Sequence, residues 1–335
     1  MADRNATNDV KVGNAPGVVI TIKGAELYQP VIVDGVRWET ERKGAPGRLS
    51  FTVIKDDKLN FQEGNEVNLF VDGTRLFFGY VFTKSRDKDG TIKVVAYDQL
   101  RYLKNKFVYQ YSGTATSLIK AIADDFFLRV GDLEDTKFSI PPRLEDNVTL
   151  FDAIQNALDL TFDNTKEQYV LYDDAGKITL KALGSMKLDV VIEADTAENF
   201  NYSSSIDGQT YNSVQLYYED GQNNKVRHMP APARDSAHVA EWGLLQLVKK
   251  VANPASVENM QKTLLKAYNR KTRTLRVVNA FGDIRVRAGS LVPVLLDLGD
   301  VVNSSYLLVE RCEHNFENGH HSMTLDLIGG DFVGK

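Results

Sequence analysis

Five residues near the C-terminal end, Cys312, Glu313, His314, His320 and His321, carry side chains that commonly ligate metals or act as nucleophile and base. Their spacing matches no zinc or iron pattern. Cys312 and His314 share a face of any strand with period two, and His320 and His321 follow an Asn318-Gly319 turn. The cluster therefore reads as side chains on a β-hairpin, with no metal expected. Glu39 and Glu41 fall on one side of a strand, as the carboxylate pair of a glycosidase must. An acidic chain of this length offers many such pairs, and neither residue carries a mark of burial. Asp87-Lys88-Asp89-Gly90 has the start of a calcium loop but lacks the closing Glu, so it reads as a turn. There is no Gly-x-Ser-x-Gly elbow, phosphate loop or dinucleotide fingerprint. No catalytic, cofactor-binding or metal-binding residue is assigned, and the chain is not expected to be an enzyme.

The bulk composition narrows the class further. A length of 335 residues exceeds one simple core, so two to four domains are expected. A net charge of −5 disfavours a dedicated nucleic-acid reader. The single cysteine, Cys312, cannot form an intrachain disulfide and reads as a buried thiol. No apolar run approaches the ~20 residues that span a bilayer. The polar stretch Met1–Val12 has no apolar signal core, which implies folding in a cytoplasm.

The organising signal is an internal repeat. Phe61–Tyr97 contains Gly64 and Val67, then Phe78-Gly79-Tyr80-Val81, a charged ribbon at Arg86, an Asp89-Gly90 turn and the strand Ile92–Ala96. Arg287–Leu327 repeats the plan with Gly289 and Val292, Tyr306-Leu307-Leu308-Val309, His314, an Asn318-Gly319 turn and Met323–Leu325. Two copies of one antiparallel β-barrel are predicted. Three such chains would supply six similar barrels to a ring. Alternation at Val18, Ile20, Ile22 and at Leu49, Phe51, Val53, with tight turns at Asp34-Gly35 and Asp72-Gly73, extends the first copy.

Between the copies the period changes. Thr116 or Ser117 is placed to cap a helix bearing Leu118, Ile119, Ile122, Ala123 and Phe126. Thr149 and Asp152 form a capping-box variant for a second helix, followed by a hairpin with strands Tyr169–Tyr172 and Ile178–Leu180. Val214, Leu216 and Tyr218 alternate again, and Asp220-Gly221 turns. A helix from Ser236 through Leu247 is expected to stop at Asn253-Pro254, and Ser256 to cap another carrying Val257, Met260, Leu264 and Tyr268. The predicted fold class is α+β, mainly β. Its parts are a flexible tail (1–15), a first barrel (16–100 with about 195–230), a helix–helix–hairpin insertion (101–194), a helical segment (231–273) and a second barrel (274–335). The Gly-rich loop Lys43–Arg48 and the tyrosines Tyr97, Tyr102, Tyr109 and Tyr111 suit contacts between subunits or domains, and equally a solvent loop and a local core.

Several stretches resemble a known family. Trp38–Val53, Phe61–Val67, Phe78–Phe82, Leu150–Ile154, Leu171–Lys177 and most specifically Ala96–Lys106 resemble the hub proteins of contractile phage tails and of defective-prophage or bacteriocin particles, the XkdQ/YqbQ-like type. That resemblance covers nearly the whole chain. It implies two tail-tube-like barrels with inserted domains, and a homotrimeric baseplate hub that adapts a sixfold tail tube to a threefold central spike. Tail tube, central spike, baseplate wedge and LysM-type tail proteins are the implied partners, with no cofactor, no specific nucleic-acid binding and no membrane span. The implied location is the baseplate of a virion or tailocin, assembled in a bacterial host cytoplasm. The family has no agreed catalytic residues. A peptidoglycan hydrolase acting during wall penetration is the alternative function.

Overall fold

Alternating apolar residues in the first hundred positions build β1 (Val18–Lys23), β2 (Ile32–Glu41), β3 (Arg48–Ile54), β4 (Glu66–Val71), β5 (Thr74–Arg86) and β6 (Thr91–Tyr97). The computed structural model describes residues 17–88, 90–208, 210–219, 227–251, 257–298, 301–329 and 333–334, without the side chains of Asp34, 301–304 and 333–334. In β3 every second residue is buried, so Leu49, Phe51 and Val53 face inward. Each such side chain contributes about 1.5–3 kcal/mol on leaving water. Ile20, Ile22, Trp38, Val67, Leu69, Phe77, Val81 and Val94 join them in one core. Asp72-Gly73 forms the expected turn, both residues at positive φ (49° and 78°). Asp34-Gly35 does not. It lies inside β2, where the register with β3 breaks between Val33 and Arg37 and Gly35 takes φ 96°. A Gly in this conformation bends a strand as readily as it turns one.

The insertion has its own core. β7 (Lys106–Gly113) pairs with β8 (Ile140–Thr149), α1 (Ala115–Asp125) packs near α2 (Leu150–Thr165), and β9 (Tyr169–Asp173) pairs with β10 (Ile178–Ala182). Leu118, Ile119, Ile122, Leu150, Ile154, Ile178 and Leu180 are buried together. The cap of α1 is Thr114, whose hydroxyl accepts from the Ser117 N–H at 3.1 Å, and not Thr116 or Ser117. Thr116 is instead buried, bonded to Glu134 O at 2.8 Å. Thr149 and Asp152 close the expected capping box on α2.

Contacts divide the chain into two compact units, Met1–Asn201 with Arg276–Lys335, and Tyr202–Leu275. β11 (Ala197–Ser205) enters the second unit, which contains β12 (Ser213–Glu219), α3 (Ser236–Trp242), β13 (Gln246–Lys250) and α4 (Val257–Tyr268). Within it, β12 pairs with Arg227–His228, Ala233–Arg234 and β13, while Val214, Leu216, Val257, Leu264 and Leu265 form a small core. The stretch after Tyr202, assigned from the sequence to the first barrel up to about 230, lies in this separate unit, because β12 takes all its partners there. The helix expected through Leu247 ends at Gly243 (φ 79°), and residues 246–250 run parallel to β12. Asp220-Gly221, Asn253-Pro254 and Ser256 lie outside the described residues, as do Asp89 and the tail 1–15.

The last segment holds β14 (Thr272–Phe281), β15 (Leu291–Asp297), β16 (Val301–Glu317) and β17 (His320–Ile328). One 14-stranded sheet results, with β11-β14-β17-β16-β2-β3-β6-β5-β4-β1 along its path and β15 on the other side of β16. The repeat is visible in this order: β4-β5-β6-β3-β2 in the first copy, β15-β16-β17-β14-β11 in the second. Gly64 N–H donates to Val81 O and Gly289 N–H to Val309 O, both at 2.8 Å; Val81 and Val309 return bonds of 2.9 Å to Asn65 O and Ser290 O. Both strands then bulge, after Val81 and after Val309. No pairing among the described residues closes either copy into a hydrogen-bonded barrel. The mainly β class with helical insertions stands.

Candidate functional site

The two copies meet where β2 runs antiparallel to β16, from Glu41 opposite Arg311 to Val36 opposite Phe316. Thr40 Oγ1 accepts from the Ala288 N–H at 2.9 Å in the buried centre. Arg42 holds Glu310 through Nε (2.8 Å) and Nη2 (2.5 Å), and their backbones bond at 2.9 Å. Glu310 is the bulge residue of β16, and the bulge turns its side chain toward Arg42. Glu39 is taken by Arg48 (3.2 Å) and Arg311 (3.0 Å), and Glu41 lies 3.9 Å from Arg311. Glu39 is thus held by Arg48 of its own copy and Arg311 of the other, and Glu41 lies near Arg311.

Trp38 and His314 are direct cross-strand partners, so their rings stack at 4.8 Å. His314 is fully buried, with Nε2 2.8 Å from Val286 O, Nδ1 2.9 Å from His321 Nε2 and Cys312 Sγ 3.3 Å from Nε2. Burial, then the neighbouring His321, lowers the His314 pKa to about 3, and burial lowers that of His321 to about 4. Burial pushes the Cys312 thiol far up, away from thiolate character. Both imidazoles are neutral near pH 7. Glu313 faces Arg311 at 3.2 Å and His320 ends the hairpin beside Glu317. No group of three or more His, Cys, Asp or Glu among the described residues is placed to hold a metal ion.

A second polar node ties the insertion to both copies. Asp98 is buried and accepts from Gly47 N–H (2.8 Å) and Leu100 N–H (3.0 Å), so the loop Lys43–Arg48 is pinned at Gly47. Asp173 Oδ1 caps the β9–β10 turn through Gly176 N–H, and its backbone O accepts from Arg287 Nη2, both at 2.6 Å. The Arg287 guanidinium lies 4.1 Å from the Tyr172 ring and 5.9 Å from Trp38. Gln99 bonds both Arg129 O and Arg129 N–H at 2.9 Å. Burial, reinforced by Asp173, raises the Asp98 pKa well above the carboxylate range; burial raises Asp173 to about 6. Sequence reasoning missed this node, since Asp98, Asp173 and Arg287 lie far apart along the chain. Of the tyrosines, Tyr111 fills the insertion core and Tyr102 lies against Tyr80 and Phe82.

The two repeats are thus joined by backbone pairing, an arginine–glutamate contact and stacked rings. The chain belongs to the YqbQ-like family, whose model matches residues 36–328. It is 28% identical over 321 residues to the uncharacterized protein YqbQ of Bacillus subtilis strain 168, and 27% identical over the same length to the phage-like element PBSX protein XkdQ of that strain. Each alignment covers 92% of this chain and 96% of the relative. The crystal structure of the prophage MuSo2 43 kDa tail protein from Shewanella oneidensis shares the fold, with a TM-score of 0.68 at 14% identity over 92% of this chain and 98% of that one.

Proposed function

We propose that the protein is the structural hub of a contractile tail baseplate, a homotrimeric ring that adapts a sixfold tail tube to a threefold central spike. The observation that carries this reading is the shared strand order of the two copies, with matching Gly64 and Gly289 turns and matching bulges. Two modules per chain let three chains offer six near-equivalent surfaces on one side and three on the other, and cyclic closure limits growth. Each copy would act as a tube-like domain whose free strand edges neighbouring copies cover. Membership of a family that includes a phage-like element protein, and the fold shared with a prophage tail protein, support the reading. Tail tube, spike, wedge and LysM-type tail proteins would be its partners, within the baseplate of a virion or tailocin assembled in the bacterial cytoplasm. Catalysis has no part in it. Light scattering on the purified chain, alone and with its spike protein, tests the stoichiometry. A trimer in either state is expected; a dimer, or a monomer unchanged by the spike, overturns the ring.

A further inference from the structure

Phe127 is 95% exposed and takes φ 55°. It ends α1 as a left-handed cap: the Leu128 N–H donates to Ala123 O at 2.8 Å and the Phe127 N–H to Asp124 O at 3.4 Å. Glycine is the usual residue there, because a side chain disfavours the left-handed backbone. A bulky ring at this position works against both backbone and solvent. The last turn of α1 adds a third conflict. Asp124 and Asp125 stand at the negative end of the helix dipole, with no basic residue in that turn. Asp125 accepts from the Tyr109 hydroxyl at 2.8 Å, whereas the exposed Asp124 carboxylate has no hydrogen bond or ion pair among the described residues. Local costs gathered at one exposed point are the signature of a contact site.

The repeat supplies a surface of matching kind. Phe78 lies opposite Asn68 of β4, and its counterpart Tyr306 lies opposite Pro293 of β15. In the first copy the insertion covers this face. Phe78 is buried, the Arg129 guanidinium lies 4.8 Å from its ring, and a Cβ on Gly176 would come within 2.7 Å of it. In the second copy the face is apolar yet open: Tyr306 is 43% exposed, and Leu295 and Val191 are exposed as well. These three lie together, since Val191 leads into Ile192–Glu193, which pairs with β15 at Val294 and Leu295. At its border Lys187 Nζ stands 5.3 Å from the Tyr306 ring, exposed and without an ion pair among the described residues.

We propose that Phe127 of one chain packs on the Pro293–Leu295–Tyr306 face of a second copy of the chain, with Asp124 paired to Lys187. The ring gains the apolar cover that the insertion gives Phe78, and each unpaired charge gains its opposite. Both features belong to one compact unit and both are exposed, so they do not meet within a chain. A twofold contact of Phe127 on Phe127 would set Asp124 against Asp124, so the contact is head-to-tail, the kind that closes a ring. It rests on the proposed ring and names the surfaces by which its subunits meet.

The test uses the full chain. Unlabelled and isotope-labelled chains are refolded together from urea and treated with a carbodiimide, which condenses a touching carboxylate and amine into an amide. Mass spectrometry should find a mixed-isotope link between Asp124 and Lys187. Phe127→Gly should lower its yield roughly tenfold while the fold holds, since Gly suits the left-handed cap. Asp124→Lys and Lys187→Asp chains should each give no link alone, and a mixture of the two should restore it. Absence of the mixed-isotope link, a Phe127→Gly chain that links like the parent, or a mixture that stays unlinked each overturns the contact. A trimer by light scattering without the link removes this contact and leaves the ring; the link in a chain that does not form trimers keeps the contact and removes the ring.

Discussion

Replacing Asp173 by Asn should stabilise the protein at alkaline pH and do less in mild acid. The carboxyl is buried and its pKa rises from 3.8 to about 6. Folding therefore disfavours the charged form. Stability is full below pH ~4, is lost as pH rises through about 6, and stays flat above. At about 1.4 kcal/mol per pKa unit, the charge costs ~3 kcal/mol at pH 8 and about half of that at pH 5. Asn removes the charge while its Oδ1 still accepts from Gly176 N–H, now 2.6 Å from Asp173 Oδ1. The gain at pH 8 should reach ~3 kcal/mol and be about half as large at pH 5. Urea unfolding followed by Trp38 fluorescence in a Trp242→Phe background reads this directly, since Trp38 is 4% exposed and lies 5.9 Å from the Arg287 guanidinium. A loss of stability at pH 8, or a gap independent of pH, would refute the electrostatic account and leave Asp173 as a purely structural turn residue.

Four further outcomes are expected. Gly289→Ala should destabilise more than Gly64→Ala, although both glycines have positive φ (93° and 85°): the new Cβ at 289 meets Val170 Cγ1 at 2.4 Å, whereas at 64 it meets nothing within 4 Å. Urea midpoints should show about 1–2 kcal/mol at 64 and at least ~1 kcal/mol more at 289. Gly79→Ala should cost about 3 kcal/mol or prevent folding, because its Cβ would lie 2.2 Å from Tyr97 O, a backbone atom that cannot swing away. A double-mutant cycle with Arg42→Met and Glu310→Gln should give a coupling energy of about 1–2 kcal/mol, since two guanidinium nitrogens converge on Glu310 Oε1 and the side chains are only 14% and 27% exposed. His314 should remain neutral at pH 5 by its imidazole carbon shifts: its pKa is lowered to about 3, so its contribution holds above pH 6.5 and is lost only as pH falls below that.

The repeat was legible because strands advertise register. Gly64 and Gly289 open the same turn, and the spacing from Val81 to Arg86 equals that from Val309 to His314. Capping chemistry placed α2 for the same local reason, through Thr149 and Asp152. Local cues misled where two conformations share a residue type. Gly35 marks a bent strand and Gly73 a turn, at similar positive φ. Nothing near Leu247 announces a parallel strand, because its partner Val214 lies more than thirty residues away. The candidate site was legible only in part. Cys312 and His314 fall on one strand face as period two requires, yet His314's true neighbours, Trp38 and Val286, come from other segments. Asp98, Asp173 and Arg287 carry no common motif, and only the fold makes them neighbours.

Carrying both modules on one polypeptide has a consequence for descent. In a symmetric dimer of separate subunits, one gene position dictates two environments and must satisfy both. Here each half answers to its own codons. Gln62 and Arg287 occupy the same turn, their N–H groups donating to Asn65 Oδ1 and Ser290 Oγ, but only Arg287 reaches across to Asp173. Arg86 ends its strand in solvent, while His314, in the matching register, is sealed beneath Trp38. A lineage can thus refine one half for its neighbours while the other keeps an older surface, and the shared strand order survives both histories.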